Sequence, residues 1–484
     1  MKSFFQLLIL LFSLALAENH FIRCGIHNEL NDTNRLRSRP QKHTYSLSPN
    51  EKFKVHYDTS GVDAPNLVDI NNNSIPDYID EVGLAAEYID SILVQVYEFL
   101  PVTSDEDNIY DIYISDLGSN WYGNNDLDYD SLGEPIGTSY IRIDNEYEAD
   151  GDYYTHGVDA MKVTLAHEYF HAIQRSYNIK PYNNVYFYEL FAVWIEDIIY
   201  PDINDYINTG WLSSFYNEPE QMITSTDGYS IGLYAHYLTS VLDEDSAINN
   251  SIIKKIWNEF SDYNTLSPNS GYNAINSILE SDYSTSFINT WVEFCTRNLW
   301  NGIFDSMDNN FYYYEDQIYA MPIQNNGFIN LQNSVSEVLF FDNKSIRLNV
   351  FLPTSSFFIN IENTNSDIIS SMTIGSTQDL PYSYSSLTDS SNYIYVNELV
   401  DQIYIVSGSD NQNEFNLDLT VLPYNYGDIN QNNFINVVDI IYLVNYIFGS
   451  FDLNEFQLIL SDLNTDNIIS ILDIVEIVNL IIQV

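Results

Sequence analysis

Residues 163–174 read VTLAHEYFHAIQ, and the first part of the chain is best understood by working outward from this stretch. His167 and His171 are four residues apart, so on a helix both imidazoles project from one face and can share one metal ion. The same helix has an apolar face, formed by Val163, Ala166, Phe170 and Ile173. The pattern therefore predicts a helix that presses a two-histidine motif against a core.

Glu168 directly follows the first histidine of this motif. Cleaving an amide at neutral pH needs a strong nucleophile and stabilisation of the oxyanion, and a zinc ion with an open position supplies both. Glu168 is then expected to take the proton from the attacking water and to deliver it to the leaving amine. The alternative is a chance pentapeptide with two core histidines, and the chain has only 8 histidines.

A catalytic zinc ion needs a third protein ligand. The extended metzincin pattern places a glycine and then a ligand shortly after the second histidine, but Gln174 and Tyr177 stand there, which disfavours that class. The other large class takes a glutamate from the next helix, and the segment YELFAVWIED offers Glu189 as the third ligand. Glu196, two turns on, is expected either to orient a ligand histidine or to be a surface or ion-paired acid.

Two resemblances bear on this reading. The helix pair resembles the gluzincin arrangement, in which the ligand glutamate begins a segment written NEGFA; this chain has YELFA at 188–192, with Leu190 in place of the glycine. The motif helix also combines with further segments into a pattern similar to a family of secreted bacterial metalloproteases known mainly from genome sequences. This second resemblance covers roughly residues 50–300 and implies hydrolysis of peptide bonds. Its other segments are HYDTSGVDAP, DINNNSIPDYIDE, DIYISDLG, YIRIDNEY and YPDIND.

Gluzincins commonly add a tyrosine or a histidine that hydrogen-bonds the oxyanion. The segment DGYSIGLYAHYL resembles the aminopeptidase segment that carries such a tyrosine, and Tyr229 is the matching position. Tyr234 and His236 are the alternates, and an ordinary packing role for Tyr229 stays open in a chain with 40 tyrosines. No second acidic motif offers a site for a free substrate amine, so an endopeptidase is favoured over an aminopeptidase. A strand predicted over Ser139–Ile143 is the expected edge for an extended substrate.

The end of the chain contains an internal repeat, and each copy is a polar loop followed by an apolar helix. Oxygen-bearing side chains stand at loop positions one, three, five, nine and twelve, the spacing by which a tight loop wraps Ca²⁺. Asn433 and Asn467 stand at the sixth position, where a left-handed conformation is required and asparagine tolerates it. The predicted calcium ligands are Asp428, Asn430, Asn432, Asn436 and Asp439, then Asp462, Asn464, Asp466, Ser470 and Asp473.

This tail resembles a type I dockerin over its full length, which implies a small α-helical domain and a cohesin-bearing scaffold as partner. The usual cohesin-reading positions are apolar here, namely Val437, Val438, Ile471 and Leu472. The partner therefore stays open, and packing of the tail on its own chain is the alternative.

An upstream loop repeats the calcium spacing once and resembles thrombospondin type 3 repeats. The alternative for this loop is a polar turn. Its predicted ligands are Asp69, Asn71, Asn73, Asp77 and Asp80.

The amino-acid composition disfavours some classes of function. The chain has 17 basic and 68 acidic residues, and the resulting formal charge of −51 disfavours binding to nucleic acid and to anionic membranes. Residues 1–17, MKSFFQLLILLFSLALA, are predicted to be a signal peptide cleaved after Ala17, and no later apolar run is long enough to span a membrane. We expect a secreted protein, extracellular or attached to a cell surface. A disulfide between Cys24 and Cys295 stays open.

The predicted fold class is α+β, in three domains after the signal peptide. A zinc metallopeptidase domain with an N-terminal extension covers 18–327, a β-sandwich of short alternating strands covers 328–422, and the dockerin-like domain covers 423–484. The function predicted is a secreted zinc-dependent peptidase with a protein or peptide substrate. The alternative is a catalytically inactive binding or structural protein attached to a scaffold or surface by its tail.

Overall fold

A computed structural model of the chain describes Cys24 and Ile26, residues 38–298 with short gaps, nine strands between 328 and 423, and residues 425–483. The gaps within 38–298 are 104, 119–120, 149–152, 208–210, 213, 216–220 and 244–250. The described residues up to 298 belong to one compact unit and those from 328 onward to a second. The predicted signal peptide lies outside the described residues.

The first unit is built on a five-stranded mixed sheet. Its strands are β1 (Thr44–Leu47), β2 (Phe53–Tyr57), β3 (Tyr110–Ser115), β4 (Gly123–Tyr129) and β5 (Pro135–Asp144). They are ordered β1-β2-β3-β5-β4, with β2, β3 and β5 parallel and an antiparallel strand at each edge. The interior strand β3 is buried along nearly its whole length, as parallel strands covered on both faces are.

Strand β4 lies in a stretch whose glycine, asparagine and aspartate content predicts a loop. Two of its buried polar side chains have a charged partner: Arg142 pairs with Asp126 across the ladder, and Arg175 donates to the side chain and the carbonyl of Asn125. These partners outweigh the low strand propensity of the segment. Because β4 is the edge and β5 lies between β3 and β4, the prediction that Ser139–Ile143 forms the edge is wrong.

A cluster of charges anchors the chain just before β1. Arg39 hydrogen-bonds Asp128 through Nε (3.0 Å) and Nη2 (2.6 Å), and its Nη1 donates to Asp105 (2.6 Å) and to Asp111. These carboxylates raise the pKa of Arg39, although burial opposes the shift. Arg39 therefore ties the chain to the sheet through several charge-assisted hydrogen bonds.

Seven helices accompany this sheet in the part of the chain that the structure describes. They are α1 (Asp77–Asp90), α2 (Gly157–Tyr177), α3 (Val185–Ile199), α4 (Gly232–Tyr237), α5 (Ser251–Phe260), α6 (Ser270–Asp282) and α7 (Phe287–Asn298). Helix α2 packs against α1, α3, β4 and β5, and every residue from 160 to 175 except Lys162 is buried. The motif helix is therefore central, rather than buried on one face only. Among the described residues, no helix combines the length and apolar character that a membrane crossing requires.

Nine strands in the second unit form two separate sheets. Their bounds are β6 (Phe328–Asn330), β7 (Val335–Phe341), β8 (Ser345–Leu352), β9 (Phe357–Asn363), β10 (Ile368–Gly375), β11 (Ser383–Leu387), β12 (Asn392–Val396), β13 (Gln402–Ser409) and β14 (Asn413–Pro423). One sheet has the order β11-β10-β13-β8-β6 and the other β12-β9-β14-β7. All pairs are antiparallel except β6 with β8. Packing of the two sheets as a sandwich stays a prediction.

The tail contains three helices, α8 (Val437–Ile447), α9 (Glu455–Ser461) and α10 (Ile471–Gln483). Helices α8 and α10 follow the two repeated loops as predicted, and α9 is an additional short helix between them. Leu443 of α8 and Ile477 of α10 are fully buried in one small core with Ile429. The described chain as a whole is of the α+β class.

Candidate metal centre

The two motif histidines meet on the buried side of α2. Their Nε2 atoms lie 3.1 Å apart, and both side chains are almost fully buried. Each ring has a hydrogen-bond partner at its other nitrogen, Nδ1. Nδ1 of His167 lies 2.7 Å from Oε1 of Glu196, and Nδ1 of His171 lies 2.6 Å from Oε1 of Gln174. Such Nδ1 partners fix the ring orientation and leave Nε2 for a metal.

Helix α3 brings Glu189 to the same point. Its Oε2 lies 3.0 Å from Nε2 of His167 and 3.6 Å from Nε2 of His171. Glu196, two turns along α3, is fully buried, so it is not a surface acid. The sequence pattern used Gln174 only as evidence against the metzincin class. Its contact with His171, which orients the imidazole, was not predicted. Its side-chain NH₂ also donates to the carbonyl of Tyr188, which explains why it points inward.

The spacing of the three donor atoms fits a single small metal ion. Ligand atoms that share a tetrahedral zinc ion at about 2.0–2.2 Å lie roughly 3.3–3.6 Å from one another. The separations here are 3.0, 3.1 and 3.6 Å. Two imidazoles and a carboxylate are also the donor types that divalent transition metals bind. The residues present therefore fit a metal ion, whose identity the donor set alone does not fix.

A fourth donor was not predicted. The Sγ atom of Cys24 joins the donor atoms of His167, His171 and Glu189, and all four lie within 4.8 Å of one another. Cys24 is separated from His167 by 143 positions, and the sequence treats it only as half of a conceivable disulfide. Cys24 and Cys295 are both buried and not bonded to each other. The sequence contained one signal for this role, the residue type itself, because cysteine is a common zinc ligand.

Glu168 lies next to this fourth donor. The thiol of Cys24 donates to Oε2 of Glu168 at 3.4 Å. Burial raises the pKa of Glu168, although the neighbouring histidines pull it down. Burial also raises the pKa of the Cys24 thiol, and Glu168 and Glu189 add to the effect. A bound cation would oppose these shifts by favouring the charged forms.

Two glycines allow the chain to approach these carboxylates closely. A Cβ at Gly123 of β4 would lie 2.7 Å from Cγ2 of Thr164 and 3.0 Å from Cγ of Glu168. A Cβ at Gly228 would lie 2.5 Å from Cβ of Glu189, and the φ of +94° at Gly228 favours glycine independently. The positions of Glu168 and Glu189 therefore depend on residues that have no side chain.

Of the three candidates for an oxyanion donor, Tyr229 reaches the centre. Its ring stacks on that of His167 with centroids 6.1 Å apart, and its hydroxyl accepts the backbone N–H of Cys24 at 3.1 Å. The hydroxyl of Tyr234 is bonded instead to Thr290 at 2.7 Å within the core. His236 packs against Tyr206, and burial lowers its pKa to about 3.

The two C-terminal loops have equivalent internal geometry. The carboxylate at position one accepts the N–H groups of positions five and six: Asp428 from Asn432 and Asn433, and Asp462 from Asp466 and Asn467. The carboxylates at position twelve, Asp439 and Asp473, are fully buried and close each loop. The predicted left-handed conformation is confirmed, with φ of 68° at Asn433 and 62° at Asn467.

The upstream loop is folded in the same manner but is more exposed. Asp69 accepts the N–H groups of Asn73 and Ser74, and Asp80 accepts the side-chain amides of Asn71 and Asn73. Asp77 accepts the N–H of Ile70. These hydrogen bonds connect the predicted ligands to one another and to the loop backbone at the start of α1.

The sequence matches no protein-family model, and no curated protein sequence matches it.

Proposed function

We propose that this chain is a secreted, zinc-dependent peptidase that cleaves internal peptide bonds. The observation that carries the proposal is the convergence of Nε2 of His167, Nε2 of His171 and Oε2 of Glu189 at separations of 3.0–3.6 Å, with Glu168 beside them. A zinc ion bound there would lower the pKa of a coordinated water and polarise the scissile carbonyl.

The residues around the centre divide the remaining tasks. Glu196 and Gln174 hold the two imidazoles by their Nδ1 atoms. Glu168 accepts a proton from the attacking water and returns it to the leaving amine, and burial, which raises its pKa, brings it nearer to neutral pH. The hydroxyl of Tyr229 donates to the developing oxyanion. The outer edge of β4, the terminal strand of the sheet, would offer its backbone to an extended substrate once Cys24 is displaced from Gly123.

A second function is favoured by one specific observation. Cys24 completes a set of four protein donors, and zinc sites closed by four protein ligands are usually structural. On this view the chain is an inactive binding or structural protein that is attached to a scaffold or surface by its tail.

Zinc analysis and cleavage of an unfolded protein substrate decide between the two functions. Because Cys24 contacts Glu168, cleavage is measured in the wild type and in Cys24→Ala, each with and without Glu168→Gln. If the chain is a peptidase, we expect the wild type, Cys24→Ala or both to cleave the substrate. In a background that cleaves, Glu168→Gln should retain one zinc per chain and lower kcat by about 10²–10⁴-fold. If the wild type and Cys24→Ala both bind zinc and neither cleaves, the chain is not a peptidase.

The C-terminal loops extend the proposal beyond the catalytic unit. Both have the spacing and the left-handed sixth residue of calcium loops, so we assign Ca²⁺ to them and, with weaker spacing evidence, to the loop at Asp69. Apolar side chains exposed in the first turns of α8 and α10 offer a docking surface, and the resemblance of the tail to a dockerin is the reason for proposing a cohesin-bearing scaffold as its partner. These side chains are Val437, Val438, Ile471 and Leu472.

A further inference from the structure

Cys24 contacts each group that the proposed reaction needs. Its Sγ atom belongs to the four-donor set and also lies 3.4 Å from Oε2 of Glu168. An attacking water would have to satisfy these same two conditions, at the metal and beside the base. Its backbone N–H donates to the hydroxyl of Tyr229, the group assigned to the oxyanion. One residue therefore takes the place of the attacking water and also binds the hydroxyl that is assigned to the oxyanion.

The backbone of Cys24 also lies at the substrate edge of the sheet. It forms a parallel bridge with Gly123, the first residue of the edge strand β4. An extended peptide that adds to β4 would need the same backbone groups. Cys24 itself thus takes the place of a substrate residue at the point closest to Glu168.

We infer that Cys24 is a releasable fourth metal ligand, and that the chain is latent while Cys24 occupies the centre. The inference rests on the proposed zinc peptidase function and concerns the regulation of that site. Withdrawal of Cys24 leaves His167, His171 and Glu189 as ligands, and it opens the fourth position and the edge of β4 together. The other three ligands project from α2 and α3, which pack against each other in the core, so they stay in place when Cys24 leaves.

Cobalt substitution reports on the thiolate without relying on activity. The full mature chain is loaded with Co²⁺ alone, and its intact mass verifies that Cys24 is still attached. We expect a thiolate-to-cobalt charge-transfer band in the wild type, loss of the band in Cys24→Ala, and retention of the band in Cys295→Ala. Cys295 is the matched control because it is the other buried cysteine and lies outside the donor set.

Cleavage by the zinc-loaded chains then tests latency. If the competent form is populated less than one tenth of the time, Cys24→Ala should raise kcat/KM at least about tenfold over the wild type. Cys295→Ala should leave it unchanged. A second variant, Cys24→Ser, guards against a packing defect of the alanine and should also be activated, because a neutral hydroxyl is a poor zinc ligand.

The outcomes separate the two proposals. If the charge-transfer band is absent and the wild type cleaves as fast as Cys24→Ala, the latency inference is overturned while the peptidase stands. If the band is present but Cys24→Ala loses its metal and gains no activity, Cys24 is a permanent structural ligand and the inference is again overturned. If the wild type binds no metal, the proposed function itself has failed.

Discussion

Glu196 hydrogen-bonds His167: Oε1 of Glu196 lies 2.7 Å from Nδ1 of His167, and the other ring nitrogen of His167, Nε2, faces His171. Both side chains are fully buried, so water cannot replace this contact cheaply. Outer partners of this kind typically change metal affinity by about 10–100-fold. Glu196→Gln should therefore weaken zinc binding by about that factor and keep a stoichiometry of one. Competition with a chromophoric chelator measures the affinity, and Glu293→Gln, which removes a carboxylate paired with Arg297 on α7, is the control that should bind zinc normally.

Zinc binding should displace a proton from His167. Burial alone would lower the pKa of this residue, but hydrogen bonds to Glu189 and Glu196 outweigh it and raise the pKa from 6.5 to about 9. The metal-free site therefore carries this proton at pH 7, and zinc affinity should rise about tenfold per pH unit up to about pH 9. Calorimetry in two buffers of different ionisation enthalpy counts the protons, and Cys24→Ala removes the contribution of the thiol. A pH-independent affinity between 7 and 9 in Cys24→Ala would contradict the prediction.

Gly123→Ala should damage both stability and catalysis. The new methyl group would lie 2.7 Å from Thr164 and 3.0 Å from Glu168, so β4 or α2 must shift. Overpacking of this kind costs about 1–3 kcal/mol in the free energy of unfolding, measured by denaturant titration. Gly83→Ala is the control, because its methyl would meet Ser48 at 3.4 Å and should gain about 0.5–1 kcal/mol from helix propensity. Equal effects of the two substitutions would argue against the close approach at Gly123.

Tyr229→Phe should lower kcat more than it changes KM. Removal of one oxyanion donor costs about 10²–10³-fold in kcat, whereas the ring that stacks on His167 is retained. Because latency would mask the effect, the comparison is made in the Cys24→Ala background. Tyr234→Phe is matched in chemistry and sequence position, and its hydroxyl bonds Thr290, so its kcat should stay near that of the parent. Similar losses in both variants would assign Tyr229 a packing role.

The second calcium loop should bind more tightly than the first. It presents three carboxylates, those of Asp462, Asp466 and Asp473, whereas the first presents only Asp428 and Asp439. Asp439→Ala and Asp473→Ala are matched, since both residues are fully buried at position twelve of their loops. Calcium titration of the full chain should show that Asp473→Ala loses the tighter site of the tail and Asp439→Ala the weaker one. The reverse order would overturn the assignment by charge.

The sequence predicts the local parts of the centre well. The four-residue interval between His167 and His171 fixes their common face, and the apolar periodicity around them predicts that α2 is a helix. Glu189 was also predicted, because it lies at a characteristic distance along the chain on the next helix. Each of these features depends on interactions within one or two neighbouring elements.

The features that were missed depend on tertiary contacts. Strand β4 resembles a loop in sequence because asparagine and aspartate disfavour strands, and distant residues such as Arg142 and Arg175 compensate for the burial of Asp126 and Asn125. Cys24 has no periodic pattern around it, and its place at the centre arises from tertiary contacts such as the bridge to Gly123 and the contact with Glu168. Pairings over such long chain separations leave no spacing signal in a single sequence.

The charge cluster at Arg39 determines how much of the protein must move when the site opens. Arg39 fastens its segment to Asp105, Asp111 and Asp128, whereas Cys24 is held by a separate set of contacts around the metal centre. Departure of Cys24 therefore does not require the bonds at Arg39 to break, and β1 keeps its pairing with β2. Under the latency proposal, release of Cys24 is an opening at the metal centre that leaves the described contacts of Arg39 and β1 formed.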